Sequence, residues 1–256
     1  MSSPLFPFPL FPPPSIARTK RPPQPDAVNP ALQRFDRYGA IYVSNVVPSK
    51  HVLAEEGSYF YATNPTIDTQ VTYGIIAAFS DTAAAFALFN KDVAGGKSIY
   101  PDFVRIAFTG TAPVVPASAI GAKMAVRIDP ASRAPTANFA TLTQVNSNGL
   151  DLTGSIASVQ AFSAGTMTVP ASGPSVRTVA RAWLRHVIPV TQDELICIFG
   201  SLEAGGGVVG ATAGRVVSAA NPVVIGPQEW GLFHIYFPSN ATTAAAFEYD
   251  LGWFER

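Results

Sequence analysis

Proline and glycine decide most of what this chain can fold into. Of the 23 prolines in 256 residues, ten lie in the first 30, at positions 4, 7, 9, 12, 13, 14, 22, 23, 25 and 30. Proline fixes φ and has no backbone N–H, so this stretch favours extended polyproline II over helix or sheet. The other 13 prolines and all 20 glycines cut residues 31–256 into short segments, which leaves no room for a long helix. Two regions are therefore expected: an extended arm over 1–30 and a folded body over 31–256.

Proline-rich linkers are usually polar, and this one is not. Leu5, Phe6, Phe8, Leu10, Phe11 and Ile16 are apolar groups on a segment that cannot build its own core, and Arg18, Lys20 and Arg21 follow them. Burial of each large apolar group is worth ~1.5–3 kcal/mol, against an ordering cost of ~1–2 kcal/mol per residue that proline reduces. The arm is thus expected to be ordered by a neighbouring subunit or a larger surface, with Leu5 to Phe11 as anchors and Arg18, Lys20 and Arg21 as the flanking charges. The positive cluster follows the apolar stretch and the prolines interrupt it, so it does not read as a signal peptide.

The body reads as strands. Gly57 to Ala62, Val71 to Phe79, Ala85 to Asn90 and Ile156 to Phe162 are short apolar runs bounded by turn residues. Val104, Ile106 and Phe108 alternate with Arg105, Ala107 and Thr109, and Met124, Val126 and Ile128 alternate with Lys123, Arg127 and Asp129. Such alternation marks half-buried strands whose polar side faces water. Gly95-Gly96 has the composition of a two-residue hairpin turn. Leu195-Ile-Cys-Ile-Phe199 is apolar on both faces, as a central strand would be. Trp230 to Phe237 is a further strand, and in the last one Phe247, Tyr249, Leu251 and Trp253 alternate with Glu248 and Asp250.

Residues 176–188 fit two patterns. Val176, Val179, Ala180, Trp183, Leu184 and Val187 have helical spacing between Ser175 and Pro189, and a strand is equally compatible. A spacing of four places Arg177, Arg181 and Arg185 on one face either way, a basic strip on the body. Many short strands without alternating helices make the fold class all-β, a β-sandwich or jelly roll carrying an extended Pro-rich N-terminal arm.

Composition narrows function by exclusion. Seventeen basic residues balance seventeen acidic ones, which removes the electrostatic footprint of a nucleic-acid binder. No apolar stretch has the ~18–20 residues of a membrane span. The single cysteine, Cys197, sits in an apolar run and reads as structural. His51, His186 and His234 lack metal-ligand spacing, so neither metal nor cofactor is expected. Gly205-Gly-Gly-Val-Val-Gly210 satisfies a dinucleotide fingerprint in letters, but a strand-like segment follows where phosphate binding needs a helix. No serine lies in a nucleophile elbow. Glu55-Glu56 and Asp193-Glu194 would point to opposite faces of a strand, and a carboxylate pair such as Glu229 and Asp250 has nothing in its favour. Asn240-Ala-Thr242 is a sequon that matters only in a secretory pathway.

Two segments resemble virion proteins of tailed bacteriophages. They are residues 38–66, which include Tyr38-Gly-Ala-Ile-Tyr-Val-Ser-Asn-Val-Val-Pro48 and Gly57-Ser-Tyr-Phe-Tyr-Ala-Thr-Asn-Pro-Thr66, and the C-terminal Phe237-Pro-Ser-Asn-Ala-Thr-Thr-Ala-Ala-Ala-Phe247 continuing to Arg256. The likeness runs over roughly 29–256 and leaves out the arm. It implies a non-enzymatic jelly-roll subunit that decorates or cements a capsid. Its partners would be the major capsid protein and itself, as a homotrimer, in a virion assembled in the host cytoplasm. A tail or fibre module reading a host glycan through Thr63–Gln70 or Glu203–Gly214 is the alternative, and a capsule-degrading enzyme a third.

Overall fold

The computed structural model describes residues 49–66, 69–74, 76–108, 121–150, 153–185, 192–200, 214–238 and 245–256, with two short strands nearer the N-terminus. The chain divides into Met1–Val52 and Leu53–Arg256. In the first unit β1 (Arg34–Phe35) and β2 (Ile41–Tyr42) pair antiparallel. The arm, residues 1–30, lies outside the described residues.

A seven-residue helix, α1 (Ser49–Glu55), follows Pro48 and precedes the sheets. It stops at Gly57, whose φ of 70° suits a residue without a Cβ. There the Ser58 N–H reaches the Leu53 carbonyl and the Gly57 N–H the Ala54 carbonyl, both at 3.0 Å, the two bonds of a Schellman end.

The strands of the body begin with β3 (Tyr59–Thr63), β4 (Val71–Tyr73), β5 (Ala83–Ala84), β6 (Phe86–Asn90), β7 (Ile99–Ala107) and β8 (Ala122–Asp129). Next come β9 (Phe139–Thr141), β10 (Val145–Asn146), β11 (Ala157–Phe162), β12 (Met167–Thr168) and β13 (Arg177–Arg185). The last four are β14 (Glu194–Phe199), β15 (Arg215–Ala220), β16 (Trp230–Tyr236) and β17 (Ala245–Glu255). Among the described residues they form a seven-stranded sheet, β10-β3-β17-β7-β14-β15 with β4 also on β17, and a six-stranded sheet, β13-β8-β16-β6-β11-β9.

The pairing is nested. β3 pairs with β17, β6 with β16, β7 with β14 and β8 with β13, all antiparallel. Rolling that long hairpin adds β17 beside β7 and β16 beside β8. This strand order is that of a jelly roll. The all-β sandwich expected from the punctuation is the fold observed. Among the described residues no helix is long and apolar enough to cross a membrane.

The core lies between the sheets. From β17, Phe247, Tyr249, Leu251 and Trp253 are buried, while Glu248 and Asp250 are half-buried, as the alternation requires. Phe162 of β11 is their hub: its ring lies 4.8 Å from Tyr73, 5.0 Å from Phe247 and 5.2 Å from Tyr249. Edge-to-face contacts of this kind add to area burial.

Several expectations need correction. Gly95-Gly96 does not close a hairpin, because β6 and β7 belong to different sheets. The turn is built around Asp92, whose carboxylate accepts the N–H groups of Val93 at 2.8 Å and Lys97 at 2.7 Å. Within Val71–Phe79 only Val71–Tyr73 is strand. Asp129 does not face water: it is fully buried against Arg133, 3.1 Å away. Glu55 ends α1 and is not in a strand.

Residues 177–185 are strand, with Ala180, Ala182 and Leu184 buried and Arg181 and Trp183 exposed. The residues at helical spacing do not share a face: Ala180 and Leu184 are buried and Trp183 is exposed. The pairing with β8 shifts between Thr178 and Ala180, so Val179 is an extra residue, and such a bulge shifts the two-residue alternation by one. The face of Arg177 therefore continues three residues on, at Ala180, and from there the buried residues Ala180, Ala182 and Leu184 follow the two-residue period of a strand.

Phe162→Ala is expected to destabilise the body by ~3–5 kcal/mol, because the site is enclosed by rings that cannot collapse into the space. Urea unfolding followed by tryptophan fluorescence measures this, and a loss below ~1 kcal/mol would mean that the hub is loosely packed.

Candidate interaction surface

Because side chains alternate along a strand, every strand of the seven-stranded sheet that sends one set into the core presents the other set outward. The registers align these outward residues into a row. Val145 lies opposite Tyr61, Tyr61 opposite Gly252, and Gly252 opposite Phe103; the row continues from Phe103 to Ile198 and from Ile198 to Ala219. At ~4.8 Å between strands, six strands span about 24 Å. Tyr61 and Val145 are exposed, at 36% and 41%, while Phe103, Ile198 and Ala219 are half-buried. Gly252 is required here, because a Cβ would lie 2.3 Å from the ring of Phe103 and 2.8 Å from the Tyr59 hydroxyl.

On one side of the row stand Tyr59, Phe254 and Tyr100. The rings of Tyr100 and Phe254 stack 4.9 Å apart and almost parallel, at 2°. The Tyr59 hydroxyl donates to the Asp102 carboxylate at 2.6 Å, and burial together with that bond raises its pKa. On the other side Arg105 binds both Asp250 and Glu194, and Arg215 reaches Glu194 at 2.8 Å. The charges satisfy one another within the sheet, and among the described residues no loop crosses the apolar row beside them, which is exposed at Tyr61 and Val145, half-buried at Phe103, Ile198 and Ala219, and buried at Gly252.

The outer face of the six-stranded sheet is different. Phe79 packs on His234 and Tyr236, with centroids 5.1 and 6.1 Å apart. Asp81 binds Arg127, and it also binds Arg133 at 3.2 Å and accepts the Ser172 N–H at 2.6 Å. Asp129 accepts the Gly173 N–H at 2.9 Å. Burial alone would raise both carboxyls; the backbone N–H donors and guanidiniums overcome it and hold Asp81 and Asp129 below the usual carboxylate range. Two loops are fastened over this face by those bonds.

A cleft of about 310 Å³ lies at the β10 edge, lined by Phe60, Gln144, Asn146, Asn148 and Ser155 among others. Its polar groups are committed to holding the loop. Asn146 donates to the Gly57 carbonyl at 3.0 Å, Asn148 to that of Glu55 at 3.1 Å, and Ser155 to the Glu255 carboxylate at 2.5 Å. Leu150, 96% exposed, follows at the tip.

The residues singled out from sequence fall as follows. Leu5, Phe6, Phe8, Leu10, Phe11, Arg18, Lys20 and Arg21 lie outside the described residues, as do His186, Gly205–Gly210 and Asn240–Thr242. Arg177 lies opposite Ile128 but Arg181 lies opposite Ala125, positions on opposite faces of β8, so the bulge breaks the shared face expected of the strip. Arg177 instead binds Glu229 at 2.7 Å. The Arg185 backbone belongs to β13, and its side chain is outside the described residues. Cys197 is buried, and burial pushes its thiol up to about 12. Glu229 and Asp250 are not brought together: one leads into β16 of the six-stranded sheet, the other lies in β17 of the seven-stranded sheet. Among the described residues no three His, Cys, Asp or Glu side chains group as metal ligands.

Sequence reasoning missed the open row because it is a property of register, shared by strands far apart in the chain. One signal was present: Ile196 and Ile198, on the second apolar face of β14, are half-buried on the outside of the sheet. No known protein family, curated protein or solved structure matches this chain.

His234 yields a test of the covered face. Its ring is buried and Nδ1 donates to the Ala83 carbonyl at 2.8 Å. Burial, as the largest effect, lowers its pKa from 6.5 to about 4. In the unfolded chain His234 takes up a proton below pH 6.5, and in the folded chain only near 4. Stability is therefore intact above 6.5 and falls as pH drops towards 4, by about 2–3 kcal/mol at pH 4.5 from this residue. His234→Gln should unfold more easily at pH 7 yet lose that much less between pH 7 and 4.5. Urea titrations at both pH values decide this, and parallel losses in the two proteins would contradict it.

Proposed function

We propose that this chain is a non-enzymatic structural subunit of a tailed-phage virion. In this reading it coats and stabilises the capsid by binding major capsid subunits and copies of itself, with the arm tying neighbours together. The observation that carries the reading is the open row on the seven-stranded sheet. Contiguous exposed apolar surface is a mark of protein–protein contact. In this body the row runs across one sheet face, with Tyr61 and Val145 exposed; on the other face ion pairs and loops cover part of the surface and leave Phe79, Phe139 and Trp183 exposed singly. A jelly roll alone hosts many functions, so the fold counts for less than the face.

The arm supports the same reading, since the uncharged, apolar residues 1–16 gain most by binding outside their own segment. Interfaces that must persist are built from apolar centres with polar rims, the pattern made by the row and the Arg105–Asp250–Glu194 cluster beside it.

Quantitative mass spectrometry of separated heads and tails from the virion encoding this chain tests the proposal. Hundreds of copies confined to heads are expected. A few copies confined to tails would replace it with a host-recognition role, and absence from the particle would end it.

A further inference from the structure

We infer that the row Val145–Tyr61–Gly252–Phe103–Ile198–Ala219 is the docking site for the arm segment Leu5–Phe11 of a second copy of this chain. The inference rests on the reading of the chain as a subunit of an assembly, and it names the surface and the partner that join the copies.

The match begins with periodicity. Polyproline II has three residues per turn and rises ~3.1 Å per residue, so Leu5, Phe8 and Phe11 form one stripe with a repeat of about 9.3 Å. Neighbouring strands are ~4.8 Å apart, so two strand spacings are about 9.6 Å. An arm crossing the sheet at right angles keeps one apolar side chain over every second strand. Three such side chains cover about 19 Å of a row about 24 Å wide. The chemistry agrees as well. Residues 1–16 contain no charged side chain, and neither does the row. Proline-rich segments dock on aromatic-lined surfaces, because a pre-extended backbone loses little entropy and needs no partner strand. Tyr61 and Phe103, with Tyr59, Tyr100 and Phe254 alongside, supply that lining.

The width of the row favours an arm over a second sheet. Two bodies stacked face to face would carry Arg105, Asp250, Glu194 and Arg215 of each copy out of water, at a desolvation cost that apolar contact must overcome. A single arm lying along the row leaves those charges solvated. Reach presents no obstacle. Residues 12–33 lie between Phe11 and the β1–β2 pair, and at ~3.1 Å per residue these alone extend on the order of 70 Å. A body of this size is about 40 Å across, so a neighbouring copy lies well within range.

The test uses the full-length chain in solution, without a shell, so it is independent of whether the capsid assignment holds. Three proteins are compared by sedimentation velocity across a concentration series: wild type, an arm variant (Phe6→Ser, Phe8→Ser, Phe11→Ser) and a face variant (Tyr61→Glu, Ile198→Glu). Wild type is expected to associate, and each variant alone to associate at least tenfold more weakly. Mixing the two variants is expected to restore association, because the face variant still supplies an arm and the arm variant still supplies a face. Thermal melting checks folding; if the double face variant melts early, Tyr61→Glu alone replaces it, and Tyr61→Phe should associate as wild type does. A wild type that stays monomeric would overturn the inference, as would an arm variant that associates normally. Failure of the mixture to recover would overturn it too.

Discussion

Strand β17 sets the terms for the rest of the body. It pairs with β3 on one side and β7 on the other, and β4 continues the pairing near its start. Its inward residues Phe247, Tyr249, Leu251 and Trp253 are buried, and the rings of Phe247 and Tyr249 reach Phe162 and Phe86 of the other sheet, which holds the two sheets together. The period of two leaves no freedom about what happens behind it: once those four point inward, Asp250, Gly252 and Phe254 must point outward. The core and the open face are thus two consequences of one register. A slip by one residue would bury Asp250 and expose Trp253, so the register that stabilises the fold also defines the surface.

The two outer faces solve the same problem in different ways. On the six-stranded sheet, loops cover part of the face, leaving Phe79, Phe139 and Trp183 exposed, and the backbone N–H groups of Ser172 and Gly173 find acceptors in Asp81 and Asp129. Burying these carboxylates with Arg127 and Arg133 is tolerable only because each has several partners. On the seven-stranded sheet the ions cluster at one side and bond within the sheet. They bring no loop across, so the apolar row beside them lacks an equivalent cover among the described residues.

Much of this was legible in sequence, and the failures share one cause. Alternation identified β7, β8 and β17, since each strand carries its own burial pattern over enough residues to be read, while β16 was read as an apolar run and is buried on both faces. Local readings failed wherever a distant strand decided the outcome. Gly95-Gly96 has the chemistry of a tight turn and makes one, but whether a turn closes a hairpin or carries the chain across to the other sheet depends on where β6 and β7 find partners. The basic strip failed for a similar reason: a bulge opposite β8 displaced Arg177 from the face of Arg181, and nothing near residue 179 announces it. The open row needed five ladders at once. Ile198 looked like core because it is apolar in a central strand; it is half-buried on the outside of the sheet, with no covering layer among the described residues.

That absence bears on how such a subunit would hold on to its neighbours. A single narrow apolar contact is weak, because association must first offset lost translational and rotational freedom. A tethered arm changes the balance once the first contact has formed, since every later contact in the same assembly is made at a high effective concentration. Proline contributes by restricting the free arm, so that less conformational entropy remains to be lost on docking. The same logic explains why the face need not be broad. A large apolar face on a soluble body invites indiscriminate pairing, and sheets avoid this by flanking apolar rows with charge. Arg105, bound to both Asp250 and Glu194, is such a flank: it bounds the strip on one side, while Tyr59, Phe254 and Tyr100 line the other.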